Sequence, residues 1–526
     1  MVVIVACSPS KESYDEELDV ATVFAAAGQE ATTIDLAVET GVDCAFEVLG
    51  TPSSAELEGA ILTLDHSRAL HEGIRLRICG RGSVEANVGV VWNVVQPHGA
   101  PHWPLAVSDD GRNLVDQSGD VIFWNGGAAW SIFAQTTREE ASHYLRDRAG
   151  KGVNVVLASL IEHKFSDGQP PWTNAYEAEP FLDYIDRMTP DMSASGGDYW
   201  KHVDWILREA YAKGVTLLAV PSYVGYQLGG GGWAQIMSRN GSERLGVYGK
   251  WLGERYRDFP NIVWVMGGDW GTSYEGLDVA DKVDAVAYGI RSVDEVHLMT
   301  AHPQPGHSAR DDYDRPWLSL NSTYGSPEET FDLVEAHYKR SPPLPTFLIE
   351  GYYGNEKGMF DGALRAQMYD SLLGGAFGHI YGNAPQWYFS AESPDEFFPD
   401  IHGLDWEEHL DDFGAPSLAV YADLVSTYPV HQLEPIFENS IIQPITKNGM
   451  KMIIPIRHSA ELAIAYLRDA VPVSVDFSRF VSNVRLTWKH PGTGEEFPGG
   501  ARNPATNSII EPPQGGDWML ILDASP

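Results

Sequence analysis

Between residues 105 and 425 the chain alternates two kinds of hydrophobic pattern. Short, predominantly apolar runs occupy 121–124, 151–158, 214–221, 261–267, 297–301, 317–320, 346–349 and 377–380. Between them lie stretches with apolar residues at helical spacing, such as 202–212 and 245–257, and a capping-box signal at 136–141, Thr-Thr-Arg-Glu-Glu-Ala. Strands covered on both faces read as continuous apolar runs, so these are parallel strands with helices between them. Eight such units in one stretch predict an α/β fold, a closed (β/α)8 TIM barrel over 104–430. A doubly wound sheet is the alternative, but no GxGxxG or P-loop pattern opens any of the helices.

The pattern differs at both ends. Residues 1–103 hold short apolar runs at 2–6, 21–26, 32–37, 44–49, 60–64, 74–78 and 87–95, punctuated by Gly, Pro, Ser and Asp. That rhythm predicts a small β-sandwich. The segment 96–104, rich in Pro and Gly, reads as a linker. Runs at 449–456, 461–467, 471–475, 484–489 and 518–522 predict a second small β-sandwich over 431–526.

A barrel of this kind carries its active site at the C-terminal ends of its strands. Two carboxylates stand there, Asp269 after the fourth strand and Glu350 after the seventh, on opposite sides of the ring. Asn125 and Trp130 follow the first run, His163 the second, Tyr223 and Trp233 the third, and Trp270 the fourth. His302 ends the fifth, Asn321 and Tyr324 follow the sixth, Tyr352 and Tyr353 the seventh, and Trp387 the eighth. Cleaving a glycosidic bond needs one protonated carboxyl for the leaving oxygen and one ionised carboxylate on the other side of the bond. The surrounding Asn, His, Tyr and Trp are the groups that hold sugars. Asp269 could also serve as a helix N-cap. Glu350 at a buried strand end needs a partner, and no Lys or Arg follows within six residues. The glycine run 229–232 before Trp233 reads either as a lid or as a surface loop. His302, His307, Asp311 and Asp312 could suggest a metal, but loop charge is the commoner reason for such a group. No metal or cofactor is expected.

Composition narrows the partners. With 73 acidic against 36 basic residues, the formal net charge is −37, which repels nucleic acid and anionic membrane surfaces. The 16 Trp suit sugar faces or cores equally. An oligo- or polysaccharide substrate fits both facts. Cys7, Cys44 and Cys79 permit at most one internal disulfide and show no zinc spacing. No stretch reaches the length of a membrane span. The apolar start lacks a basic region and reads as a strand, so the expected location is cytoplasmic unless a leader has been removed.

The residues Val121-Ile-Phe-Trp-Asn-Gly-Gly-Ala-Ala-Trp130, Tyr144-Leu-Arg-Asp-Arg148, Phe259 through Asp269, Thr300-Ala-His-Pro303, and Glu350-Gly with Arg365 through Gly382 carry a resemblance. In this order they are similar to the apiosidase-like (β/α)8 glycoside hydrolase family. Residues 472–478, 487–495 and 516–520 resemble the collagen-binding-type β-sandwich often fused behind that barrel. The resemblance implies a retaining, exo-acting hydrolase with Asp269 as acid/base and Glu350 as nucleophile. It also implies a terminal furanose-like or other short sugar as the group released. Two departures bear on specificity. The family usually carries Gly-Asp-Thr-Ala-Trp where this chain has Gly126-Gly-Ala-Ala-Trp130, and Gln-Ser-Gly-His where it has Asn321-Ser-Thr-Tyr324. The missing Asp and Thr are expected to grip a substrate hydroxyl, so apiosides are expected to be poor substrates. Tyr324 is expected to hold the nucleophile. A non-catalytic carbohydrate-binding or adhesin-like barrel is the rival reading, and the presence of both carboxylates argues against it.

Overall fold

The structure is a computed structural model. Of residues 1–99 it describes only the strands named below. From residue 100 onward it describes all but 163–170, 227–231, 270, 275–276, 357–358, 391–402, 413, 438–440, 446–453, 505–506 and 525–526. The chain divides into two compact units, Met1–Gly99 and Ala100–Pro526. In the first, antiparallel pairing joins Ala31–Asp35 to Ile61–Asp65 and that strand to Ala55–Glu58. Phe46–Leu49 pairs with Arg75–Ile78, and Val2–Val3 with Thr22–Val23. The expected strand over 87–95 lies outside the described residues.

The second unit is built on eight parallel strands: β1 (Trp124–Ala128), β2 (Val155–Ser159), β3 (Thr216–Val220), β4 (Ile262–Gly267), β5 (Met299–His302), β6 (Asn321–Tyr324), β7 (Thr346–Glu350) and β8 (Gly378–Tyr381). Each pairs with its sequence neighbour except β5 with β6, and β8 returns to β1, which aligns Gly126 with Ile380. The seam between β5 and β6 is held by the Ser319 and Leu320 amides on the Met299 carbonyl and by the Ser322 hydroxyl on the Ala301 carbonyl. The strands are buried along their length because helices cover them outside and side chains fill the centre. Those helices are α1 (Arg138–Gly150), α2 (Asp198–Ala212), α3 (Ala234–Tyr256), α4 (Ala280–Arg291), the single turn α5 (Ala309–Asp312), α6 (Thr330–Tyr338), α7 (Asp361–Leu373) and α8 (Ala415–Thr427). The capping box forms as its residues dictate: Thr137 accepts from the Glu140 amide, and Glu140 reaches back to the Thr137 amide.

Two strands sit later in the chain than the apolar runs suggest. Val121–Ile122 belongs to a small antiparallel sheet with Leu114–Val115 and Ala106–Val107, and β1 begins only at Trp124. The sixth strand starts at Asn321, where the apolar run 317–320 ends. In both places polar or small residues form the strand because the barrel wall encloses them. Many of the indoles serve packing: Trp124, Trp200, Trp264 and Trp518 are completely buried.

Beyond the barrel the chain forms two antiparallel sheets. One joins Glu434–Pro435, Ile456–His458, Leu462–Leu467, Trp518–Asp523, Val484–Lys489 and Glu496–Arg502; the other joins Ile442–Pro444, Val473–Val475 and Ser508–Ile510. They enclose a core of their own that includes Phe477, Trp488 and Trp518. Charged groups tie these sheets to the barrel. Arg365 of α7 grips Asp517 through two hydrogen bonds of 2.7 and 2.8 Å, and the Tyr466 hydroxyl donates to the same carboxylate at 2.8 Å. Arg468 pairs with Asp370, a fully buried carboxyl on α7, and Lys489 with Asp423 on α8.

Candidate active site

The C-terminal ends of β4, β5 and β7 converge. At the end of β4 the backbone turns through Gly267 at φ +87°, a conformation that favours glycine. A Cβ there would lie 2.4 Å from the Tyr313 hydroxyl, so the missing side chain also lets that ring pack beneath the turn. The turn delivers Asp269 to the face of the barrel. Glu350 is the last residue of β7 and His302 the last of β5, and both are buried.

His302 lies between the two carboxyls. Its Nε2 is 2.6 Å from Glu350 Oε2, and its Nδ1 is 3.7 Å from Asp269 Oδ1 and 3.1 Å from the Pro303 carbonyl. One donor atom from each of the three residues falls within a set no more than 4.8 Å across. Opposite nitrogens of the imidazole face the two carboxyls. The trio is arranged for handling protons. His307 after β5 and His337 of α6, by contrast, are engaged with Asp312 and Asp311 at 2.9 and 3.2 Å.

Aromatic groups form the walls. The Trp130 ring stands 5.2 Å from Tyr223 and 5.4 Å from His302, and its indole N–H donates to the Tyr353 hydroxyl at 2.9 Å. Tyr324 packs edge-on against His302 at 5.5 Å and pairs with Glu350 in the sheet register. The Tyr223 hydroxyl hydrogen-bonds to Asp269. Burial, and then the charge of Glu350, raises the Asp269 carboxyl to about 7, against the pull of His302 and Tyr223. Burial pushes His302 below its usual value, and Asp269 opposes that shift. Tyr223, Tyr324 and Tyr353 are pushed well up by burial and next by the nearby carboxylates, so all three remain proton donors at neutral pH.

Of the residues read from the sequence, the structure brings together Asp269, Glu350, His302, Trp130, Tyr223, Tyr324 and Tyr353. Tyr352 follows Glu350 after Gly351 and is held by the side chain of Gln367 of α7: its backbone amide donates to Gln367 Oε1 at 2.6 Å, and its carbonyl accepts from Gln367 Nε2 at 3.1 Å. Trp387 is buried after β8, with its indole N–H 3.3 Å from Glu356. His163 and Trp270 lie outside the described residues.

Four expectations are corrected. Asn125 is the second residue of β1, and its side chain donates to the carbonyls of Gly152 and Leu418 at 3.0 and 2.9 Å, behind the wall. Asn321 begins β6 at the opposite end of the barrel from the site, accepting from the Arg310 amide at 3.0 Å. Trp233 is 1% exposed, donates to the Ile161 carbonyl and packs on Trp172 and Phe181, so it is a core residue and no lid. At Gly127 a Cβ would point at the Tyr144 hydroxyl, 3.0 Å away, with Arg148 beyond it at 3.9 Å. An acidic residue at that position would meet Arg148 behind the wall and not a substrate. By the two-residue alternation only Ala128 of that pair faces inward. Gln367 and Tyr313, which hold the segments carrying Glu350 and Asp269, went unnoticed in the sequence. A Gln inside one helix and a Tyr in a polar loop give no local signal of that work.

Residues 108–432 match the family model described as the apiosidase-like catalytic domain. No curated protein matches the chain in sequence. Among solved structures, one titled glycoside hydrolase is 24% identical at a TM-score of 0.68, covering 81% of this chain and 97% of its own. A glycoside hydrolase family 5 protein from Bacteroides vulgatus is 24% identical at 0.67, covering 80% and 93%. Another from Bacteroides vulgatus, described as a possible glycoside hydrolase, is 13% identical at 0.59, covering 94% and 98%. At these identities the likeness shows the fold alone.

Proposed function

Since the chain belongs to the apiosidase-like family and is a glycoside hydrolase, we propose that it acts with retention of configuration, Asp269 serving as acid/base and Glu350 as nucleophile. The observation that carries this reading is the pair itself. Donor oxygens of Asp269 and Glu350 lie within 4.8 Å, near the roughly 5–5.5 Å of retaining sites and short of the 6.5–9.5 Å that leaves room for a water. The environments of the two carboxyls also differ. Asp269, raised to about 7, is protonated when a leaving oxygen must be served, whereas Glu350 is held in place by His302. In the first step the Asp269 proton passes to the leaving oxygen while Glu350 attacks the anomeric carbon. In the second, water attacks that carbon, gives its proton to Asp269 and frees Glu350.

The substrate in this reading is an oligo- or polysaccharide from which a terminal, furanose-like or other short sugar is released. The crowding of Trp130, Tyr223, Tyr324 and Tyr353 around the trio supports a pocket closed on one side. Apiosides remain the expected poor substrates, but the reason now rests on Ala128 alone. In the same reading the C-terminal sandwich is of the collagen-binding type and braces the barrel.

A panel of nitrophenyl pentosides and hexosides, with the first-formed anomer observed by proton NMR, tests the mechanism. The product should keep the configuration of the substrate; inversion would refute the assignment. Asp269→Asn should lose roughly 10²–10⁴-fold on alkyl glycosides and far less on nitrophenyl glycosides, whose leaving group scarcely needs a proton. Wild-type kcat/KM should fall as pH rises through about 7, where Asp269 ionises. The sign of the stability effect follows from the same shift. Between the ordinary Asp value and about 7 the folded state binds more protons than the unfolded one, so the contribution of Asp269 to stability declines as pH rises. Above pH 7, Asp269→Asn should therefore resist urea better than wild type.

A further inference from the structure

His302 is completely buried, and its hydrogen bonds leave little freedom in placing protons. The Pro303 carbonyl, 3.1 Å from Nδ1, can only accept, so Nδ1 carries a hydrogen. The 2.6 Å contact between Nε2 and Glu350 Oε2 then needs a proton of its own, since two lone pairs at that distance repel. The other groups facing the ring are the Trp130 indole and the Tyr324 edge. The ionisable groups that act on it are all carboxyls: Asp269, Glu350 and the more distant Asp312.

We propose that His302 is the shared counter-charge of the two carboxyls, holding a proton in common with Glu350 at rest and taking it fully when Glu350 attacks. The proposal rests on the retaining assignment. At rest Asp269 is a carboxylic acid and one proton lies between His302 and Glu350, so the trio is neutral. In the first step the Asp269 proton leaves with the aglycone, the shared proton settles on Nε2, and Glu350 becomes an ester. Asp269 carboxylate, His302 imidazolium and the ester again sum to zero. In the second step water attacks the anomeric carbon and gives a proton to Asp269. Glu350 is released as a carboxylate and shares the His302 proton once more. A buried site thus passes through both steps without net charge, which would be costly to hold away from water. The 3.7 Å separation of Nδ1 from Asp269 places the positive ring beside the carboxylate formed in the first step.

The test has two arms. In the full chain labelled with 15N-histidine, wild type should show a strongly downfield proton bonded to a His302 nitrogen. That signal should be lost in His302→Gln, and also in Glu350→Gln, whose amide can fill the bond without a shared proton. A His302 that carries hydrogen on one nitrogen only, beside an ionised Glu350, would overturn the proposal. No substrate is needed, so this outcome is independent of whether the product anomer is retained. In the second arm, His302→Gln keeps a donor to Glu350 but cannot take a proton. Its kcat on the best nitrophenyl glycoside should fall, and the alkaline limb of its pH profile should move up by about one unit, because Asp269 then ionises without a cation beside it. An alkaline limb left in place would show that His302 only positions Glu350, and would overturn the counter-charge role.

Discussion

Glu350→Gln lowers turnover by ~10³-fold or more and leaves sugar binding nearly unchanged, since an amide keeps the shape of the carboxylate but cannot form the glycosyl ester. The size of the effect follows from position. Glu350 ends a buried strand, is held by His302 at 2.6 Å and lies across from the acid that serves the leaving group. Equilibrium binding of a non-hydrolysed sugar and single-turnover kinetics on a nitrophenyl glycoside measure the two halves of the claim. Activity above a few per cent of wild type would remove Glu350 as nucleophile. Glu350→Ala with added azide offers a sharper check. Azide should enter the vacated space and yield a glycosyl azide of inverted configuration, a product that a merely structural glutamate would not allow.

Arg365→Ala should cost about 3–5 kcal/mol of stability, because it leaves the buried Asp517 carboxylate without its cation. Asp517 receives two bonds from Arg365 and one from Tyr466, and only the phenol would remain. Replacing both charged residues by apolar ones of similar volume should recover most of the loss, since the pair itself is worth little net once its desolvation is counted. Urea unfolding of the single and double variants measures this. A loss under about 1 kcal/mol for the single variant would mean that the seam between barrel and sandwich is wetter than the geometry indicates.

The fold was legible because most barrel strands lie in predominantly apolar runs. The chemistry was legible because Asp269, His302, Glu350 and Tyr353 each stand within a few residues of such a run. Where a run and its strand part company, reasoning from the run fails. The polar stretch Asn321–Tyr324 forms β6, so Asn321 begins a strand it seemed to end. Val121–Ile122 pairs outside the barrel, so Asn125 sits on the wall where it seemed to crown it. Trp233 shows a different limit: an indole after a glycine run looks exposed in sequence, and only the tertiary contacts with Trp172 and Phe181 reveal it as core. The bridging place of His302 was not legible either, because it depends on three strand ends meeting.

Gly127 changes how divergence in this family should be interpreted. Where the family resemblance implies an aspartate, this chain has a glycine facing the Tyr144 hydroxyl with Arg148 beyond it, and the guanidinium leans on the adjacent Asp147, with Nε 3.1 Å from its carboxylate. An alignment would present the exchange as a shift in diet, since it falls in the motif next to Trp130. The side-chain direction makes it a change of ionic partner behind the wall, invisible to any substrate. Substitutions that do record a change of substrate should be sought at inward positions such as 128.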